Sequence, residues 1–143
     1  MSVITEKSRV SSTGKGHTNC LMCGSRNPFS LGLRFHTREK GRVWARFKAK
    51  SRFQGYDGIL HGGVISALLD AAMTHCLFQR GVKAVTGDMR VRFLKPISCG
   101  TELQVCAWPV SITPPLYRVA AELVLGLRVM AKAEAKFMQK EGW

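Results

Sequence analysis

Acidic residues are scarce in this chain: 9 Asp and Glu stand against 22 Lys and Arg among 143 residues, a formal charge of +13. That imbalance draws polyanions: nucleic acid, an anionic membrane surface, or a phosphorylated small ligand such as coenzyme A. Stacking aromatics are scarce too, with three Trp and two Tyr, and the basic residues are spread along the chain without a Lys/Arg block. A dedicated nucleic-acid surface is the weakest of the three, and no nucleic-acid partner is expected. Long apolar runs are missing. The longest mostly apolar stretch, residues 64–78, is interrupted by Ser66, Asp70, Thr74 and His75, well short of the roughly 20 apolar residues that cross a bilayer. The start, Met1 to Lys7, has no apolar run followed by a small-residue cleavage site. No membrane association is expected, and the expected compartment is the cytoplasm.

Several chemical signatures are absent as well. There is no Gly-x-Ser-x-Gly nucleophile elbow, no Gly-x-Gly-x-x-Gly fingerprint and no phosphate loop ending in Gly-Lys-Ser/Thr, which argues against serine hydrolases, Rossmann enzymes and P-loop enzymes. Five cysteines are an odd number scattered through the chain, unlike a secreted disulfide framework, and they are expected as reduced thiols. Cys20-x-x-Cys23 with His17 ahead of it offers three ligand-type residues, but Cys76, Cys99 and Cys106 form no second spaced pair. A structural zinc site needs a fourth ligand, so neither a metal nor a cofactor is expected.

What is present fits one domain with an ordinary core: 45% of the residues are apolar, and a chain of this length can bury enough of them without staples. Residues 1–19 are polar, rich in Ser, Thr, Gly and Lys, and are expected as a disordered arm; the folded domain is expected over residues 20–143. Leu33 to His36 alternates as a half-buried strand, Lys40-Gly41 supplies a turn, and Val43, Ala45 and Phe47 alternate on the returning strand. From about Gly63 to Gln79 apolar residues lie on nearly every side of a helical wheel, as in a helix surrounded by protein. Everything after Gly81 reads as strand: 85–94, 102–110, 116–125 and 127–137. Along the first of these, simple alternation puts Val85, Met89, Val91 and Phe93 on one face, with Thr86, Asp88, Arg90 and Arg92 on the other. The expected class is α+β, a curved antiparallel sheet of about five to six strands wrapped around one central helix.

Asp70 stands out because it lies two turns into that helix between Leu68-Leu69 and Ala71-Ala72. A carboxylate there is costly unless paired or put to use, so it is a candidate nucleophile or general base, the alternative being an ion pair or a subunit boundary. His61-Gly62-Gly63 opens the helix. Its free amides and small residues suit the developing negative charge of a carbonyl oxygen, though a tight loop with a structural histidine would look the same. Asp70 follows Gly62 by eight residues, about 12 Å along a helix at 1.5 Å per residue. One carbonyl does not reach both groups in one chain, which favours a site shared between two chains. His75, five residues past Asp70, points elsewhere on the helix and is expected in the core or an interface.

The run from Gln54 to Asp70, with His61-Gly62-Gly63 at its centre, resembles the hotdog-fold acyl-CoA thioesterases of the phenylacetic-acid-pathway type. Cys20-Leu21-Met22-Cys23-Gly24, Asn27-Pro28, Leu31-Gly32-Leu33 and the strand from Val85 to Pro96 are similar too, and the likeness spans about residues 20–138. The resemblance implies the hotdog fold and hydrolysis of an acyl-CoA to free acid and CoA. It implies that the Gly62 amide polarises the carbonyl, that Asp70 of the partner subunit is nucleophile or base, and that Thr86 places the water. His61 is grouped with these, and Gly63, Asp57, Gln54, Arg90, Arg92 and Lys95 are the expected substrate-binding residues. The expected assembly is a homodimer, or a dimer of dimers forming a homotetramer. The alternative is a non-catalytic hotdog module that binds acyl-CoA or another anionic ligand. Two positions depart from the pattern: Gly55 stands where many such thioesterases have Asn, and Ala71 where many have Glu.

Overall fold

The computed structural model describes residues 9–10 and 16–141. In chain order these form β1 (Arg9–Val10), β2 (His36–Thr37), β3 (Val43–Lys48), α1 (Gly62–Phe78), β4 (Ala84–Phe93), β5 (Glu102–Thr113), β6 (Leu116–Leu125) and β7 (Arg128–Gln139). All strands join one antiparallel sheet in the order β1-β2-β3-β5-β6-β7-β4. The two-residue strands β1 and β2 extend one edge, and β4 forms the other. Most of the segment expected as an arm, residues 1–8 and 11–15, lies outside the described residues; Arg9–Val10 pairs with β2.

Alternation decides which face of the sheet meets the helix. Val43, Ala45 and Phe47 of β3, Leu103, Val105 and Ala107 of β5, Tyr117, Val119, Ala121 and Leu123 of β6, and Ala131, Ala133, Ala135 and Phe137 of β7 are all buried. Alanines keep the β7 face shallow, and the larger α1 side chains Leu68, Leu69, Met73 and Leu77 fill the concave side to a close-packed core. The expected β2–β3 turn is there, with Lys40 and Gly41 both at positive φ (59° and 73°).

The helix begins one residue earlier than the pattern predicts and ends one earlier. A larger difference lies in its surroundings. Gly63, Ser66, Ala67, Asp70 and Thr74, spaced three and four apart, are not buried, so α1 keeps one open stripe rather than being enclosed on all sides. The stripe lies beside β4, of whose ten residues none is buried. Val85, Phe93 and Leu94 are exposed there. A single chain thus leaves both a sheet edge and the neighbouring helix face uncovered.

Candidate active site

Glycine inside a strand often marks a bulge, and Gly87 does so here: the β4–β7 register shifts between Thr86 and Asp88. Before the shift Thr86 lies across from Phe137; after it Met89, Val91 and Phe93 lie across from Ala135, Ala133 and Ala131. Directly opposed residues share a face, so Thr86 joins Met89, Val91 and Phe93 on the helix side. The expectation from simple alternation, which put Thr86 on the opposite face, is corrected by that one extra residue. The consequence is chemical: the Thr86 hydroxyl donates to Asp70 Oδ1 at 2.6 Å. Asp70 itself is half-buried on the open stripe rather than enclosed.

At the other end of the stripe, His61 is the N-cap of α1, and its Nδ1 accepts from the Gly63 N–H at 2.8 Å. An accepting Nδ1 carries no proton, which leaves Nε2 as the N–H of the neutral ring. The Gly62 N–H has no acceptor among the described residues and lies at the exposed start of the helix, where the macrodipole favours negative charge. Gly62 faces the Phe93 ring, which a Cβ at residue 62 would meet at 3.6 Å. Gly55 backs onto His61: a Cβ at 55 would lie 3.3 Å from the ring, so glycine lets the imidazole close onto the helix.

Gln54 acts within its own loop, Oε1 accepting from the Gly58 N–H at 3.0 Å. Asp57 and Tyr56 are exposed at the loop's tip. The loop from Gln54 to Gly62 lines an open hollow of about 590 Å³. Lys95 is exposed in the turn just beyond Phe93, at the Gly62 end of the stripe. Arg90 and Arg92 are elsewhere. They lie across from Glu134 and Lys132 on the outer face, beside the Arg118–Glu134 ion pair, with the sheet between them and Asp70. The fold therefore brings Asp70 together with Thr86, and Gly62 with His61, Gly63 and the loop, and keeps the two groups apart in one chain.

A second cluster joins His17 and Cys23, ligand-type residues already plain in the sequence, to His75, which the sequence does not link to them. His75 is 2% exposed and is the one fully buried polar or charged side chain among the described residues. Its Nε2 lies 3.1 Å from Cys23 Sγ, which is 3.5 Å from His17 Nδ1. Burial pushes the Cys23 thiol up to about 12, with neighbouring Cys20 adding to it, and pushes His75 down to about 4. Its members come from residues 17, 23 and 75, and no sequence spacing links the last of these to the others.

A curved antiparallel sheet closed on one central helix is the hotdog fold, and the thioesterase superfamily model matches residues 57–126, from the loop before α1 through β6. Over those 70 of its 143 residues the chain is similar to that superfamily. The acyl-coenzyme A thioesterase THEM4 of Rattus norvegicus is 29% identical over 63 residues, 44% of this chain and 27% of that protein. The protein SSO1253 of Saccharolobus solfataricus is 31% identical over 72 residues, 49% of this chain and 48% of the other. The chain thus matches half or less of the length of these curated relatives. Among solved structures, zebrafish thioesterase superfamily member 2 has a TM-score of 0.74 at 17% identity, covering 87% of this chain and 94% of that one. The structure of smu.793 from Streptococcus mutans UA159, bound to acetyl CoA, has a TM-score of 0.71 at 24% identity, covering 76% and 88%.

Proposed function

We propose that the protein is a thioester hydrolase that cleaves an acyl-CoA to free acid and CoA at sites shared between two copies of the chain. The observation that carries this is the Thr86–Asp70 hydrogen bond on a helix stripe that a single chain leaves open. A donor on Oδ1 orients the carboxylate and leaves Oδ2 for the reacting atom. Asp70 then attacks the carbonyl carbon or takes a proton from water, and the Gly62 N–H holds the carbonyl oxygen as its charge grows. His61 contributes through the cap, which fixes the first turn and the aim of that amide.

The open edge strand supports sharing. An exposed edge invites pairing, and a two-fold axis gives antiparallel pairing of two β4 strands. That arrangement lays the Phe93 end of one strand, beside Gly62, toward the Thr86 end of the other, beside Asp70. Each dimer then has two equivalent sites, and a dimer of dimers repeats them. Lys95, at the Gly62 end, is better placed for CoA phosphates than Arg90 or Arg92 on the outer face. The acetyl CoA bound to smu.793 supports a CoA ester as ligand. Five free cysteines suit a reducing compartment, the cytoplasm.

The test is a hydrolysis panel over short, aryl and long acyl-CoAs, with release of the CoA thiol followed by absorbance. Turnover of one class by the wild type and its loss in Asp70→Asn is the expected result. A wild type that binds CoA esters and turns over none of them would replace this proposal with the binding module.

A further inference from the structure

We propose that His17, Cys20, Cys23 and His75 hold a structural zinc ion that fastens the N-terminal turn to the C-terminal half of α1. Three of the four ligand atoms, on His17, Cys23 and His75, already lie within 4.8 Å of one another. With Zn–S near 2.3 Å and Zn–N near 2.0 Å, a tetrahedral edge between sulfur and nitrogen is about 3.5 Å. The two Cys23 Sγ to imidazole separations, 3.5 and 3.1 Å, are close to that edge. Cys20 stands outside that group of three; as the other cysteine of Cys-x-x-Cys, in the same turn closed by the Gly24 N–H to its carbonyl, it is the fourth ligand of a two-thiolate, two-imidazole set. Soft sulfur with imidazole in a tetrahedral arrangement selects zinc among the common cations.

The backbone is shaped for this turn. The Met22 N–H donates to Cys20 Sγ at 3.4 Å, and the Gly24 N–H donates to the Cys20 carbonyl at 2.8 Å. A Cβ on Gly24 would come within 2.4 Å of the Cys20 nitrogen, so only glycine follows Cys23 in so tight a turn. In the metal-free chain the Cys23 S–H can donate to one imidazole while its sulfur accepts from the other; the same three atoms, one of them on His75 in the core, converge as metal ligands would. Phe35 stacks on His75 with ring centroids 4.3 Å apart, and Phe78 covers His17 at 4.8 Å. Four protein ligands under aromatic cover leave no open position for substrate, which defines a structural site. Zinc displaces both thiol protons to solvent, and its binding free energy becomes folding free energy. That matters where structure is sparse: between residues 16 and 35 the chain forms turns and no strand.

The test is the zinc content of the full chain, purified under reductant, supplied with zinc and desalted. About one zinc per chain is expected, with the intense visible bands of tetrahedral cobalt and a thiolate-to-metal charge-transfer band after replacement by Co²⁺. Cys20→Ser, at a half-exposed position that leaves the core intact, and Cys23→Ser should bring zinc to background, while Cys106→Ser and Asp70→Asn keep it. Absence of zinc from the reduced wild type, or full zinc in both Cys20→Ser and Cys23→Ser, would overturn the proposal. A Cys20–Cys23 disulfide persisting under reductant would do the same.

Discussion

Asp70 is half-buried and accepts from Thr86, so its removal should cost turnover and not the fold. Asp70→Asn is expected to lower kcat by about 10²- to 10⁴-fold, the range of a general base, with an unchanged circular dichroism spectrum. In the proposed site Thr86 acts through Asp70. Thr86→Ala should lower kcat about tenfold, equivalent to about 1.4 kcal/mol, and Thr86→Ser should restore most of it; equal turnover in all three would remove the hydroxyl from the mechanism. Asp70 stands out in the sequence because a charge among Leu68, Leu69, Ala71 and Ala72 is costly unless paired or put to use. Its partner was not legible by counting, because residue parity in β4 reverses at Gly87.

The helix and its cap form the next level. The apolar run and flanking glycines mark α1 to within one residue at each end. Its enclosure was misjudged, because small residues such as Ala67 read as apolar whether a neighbour covers them or not. His61 holds the first turn through Nδ1, so His61→Ala should destabilise by about 1 kcal/mol, or lower Tm by about 3 °C in a calorimetric scan. Gly62 sits at the first helical position, where proline is well tolerated. Gly62→Pro deletes the proposed oxyanion donor and keeps the helix, and kcat should fall about 10²-fold or more with Tm little changed. The N-terminal cluster taught the opposite lesson. Cys20-x-x-Cys23 is plain in the sequence, but His75 lies 52 residues beyond Cys23 and only the packing of α1 against the turn brings it there.

At the scale of the molecule, a lone chain leaves β4 and the stripe of α1 uncovered, and the proposed dimer would pair these edges. The spacing in sequence favours the same reading, since about 12 Å of helix separates Gly62 from Asp70. Charge near the middle of the edge should undo that pairing. In Met89→Lys/Val91→Lys, like charges would face one another across the two-fold axis, and light scattering should report a monomer that has lost turnover with Asp70 and Thr86 intact. The most direct measurement mixes Gly62→Pro and Asp70→Asn, each inactive alone, after dissociation and reassociation. Half of the dimers are then mixed, each with one intact site of two, so activity should return to about a quarter of wild type. A mixture no more active than its components, with heterodimers verified by mass, would show that the two groups serve the same chain and would contradict the shared site.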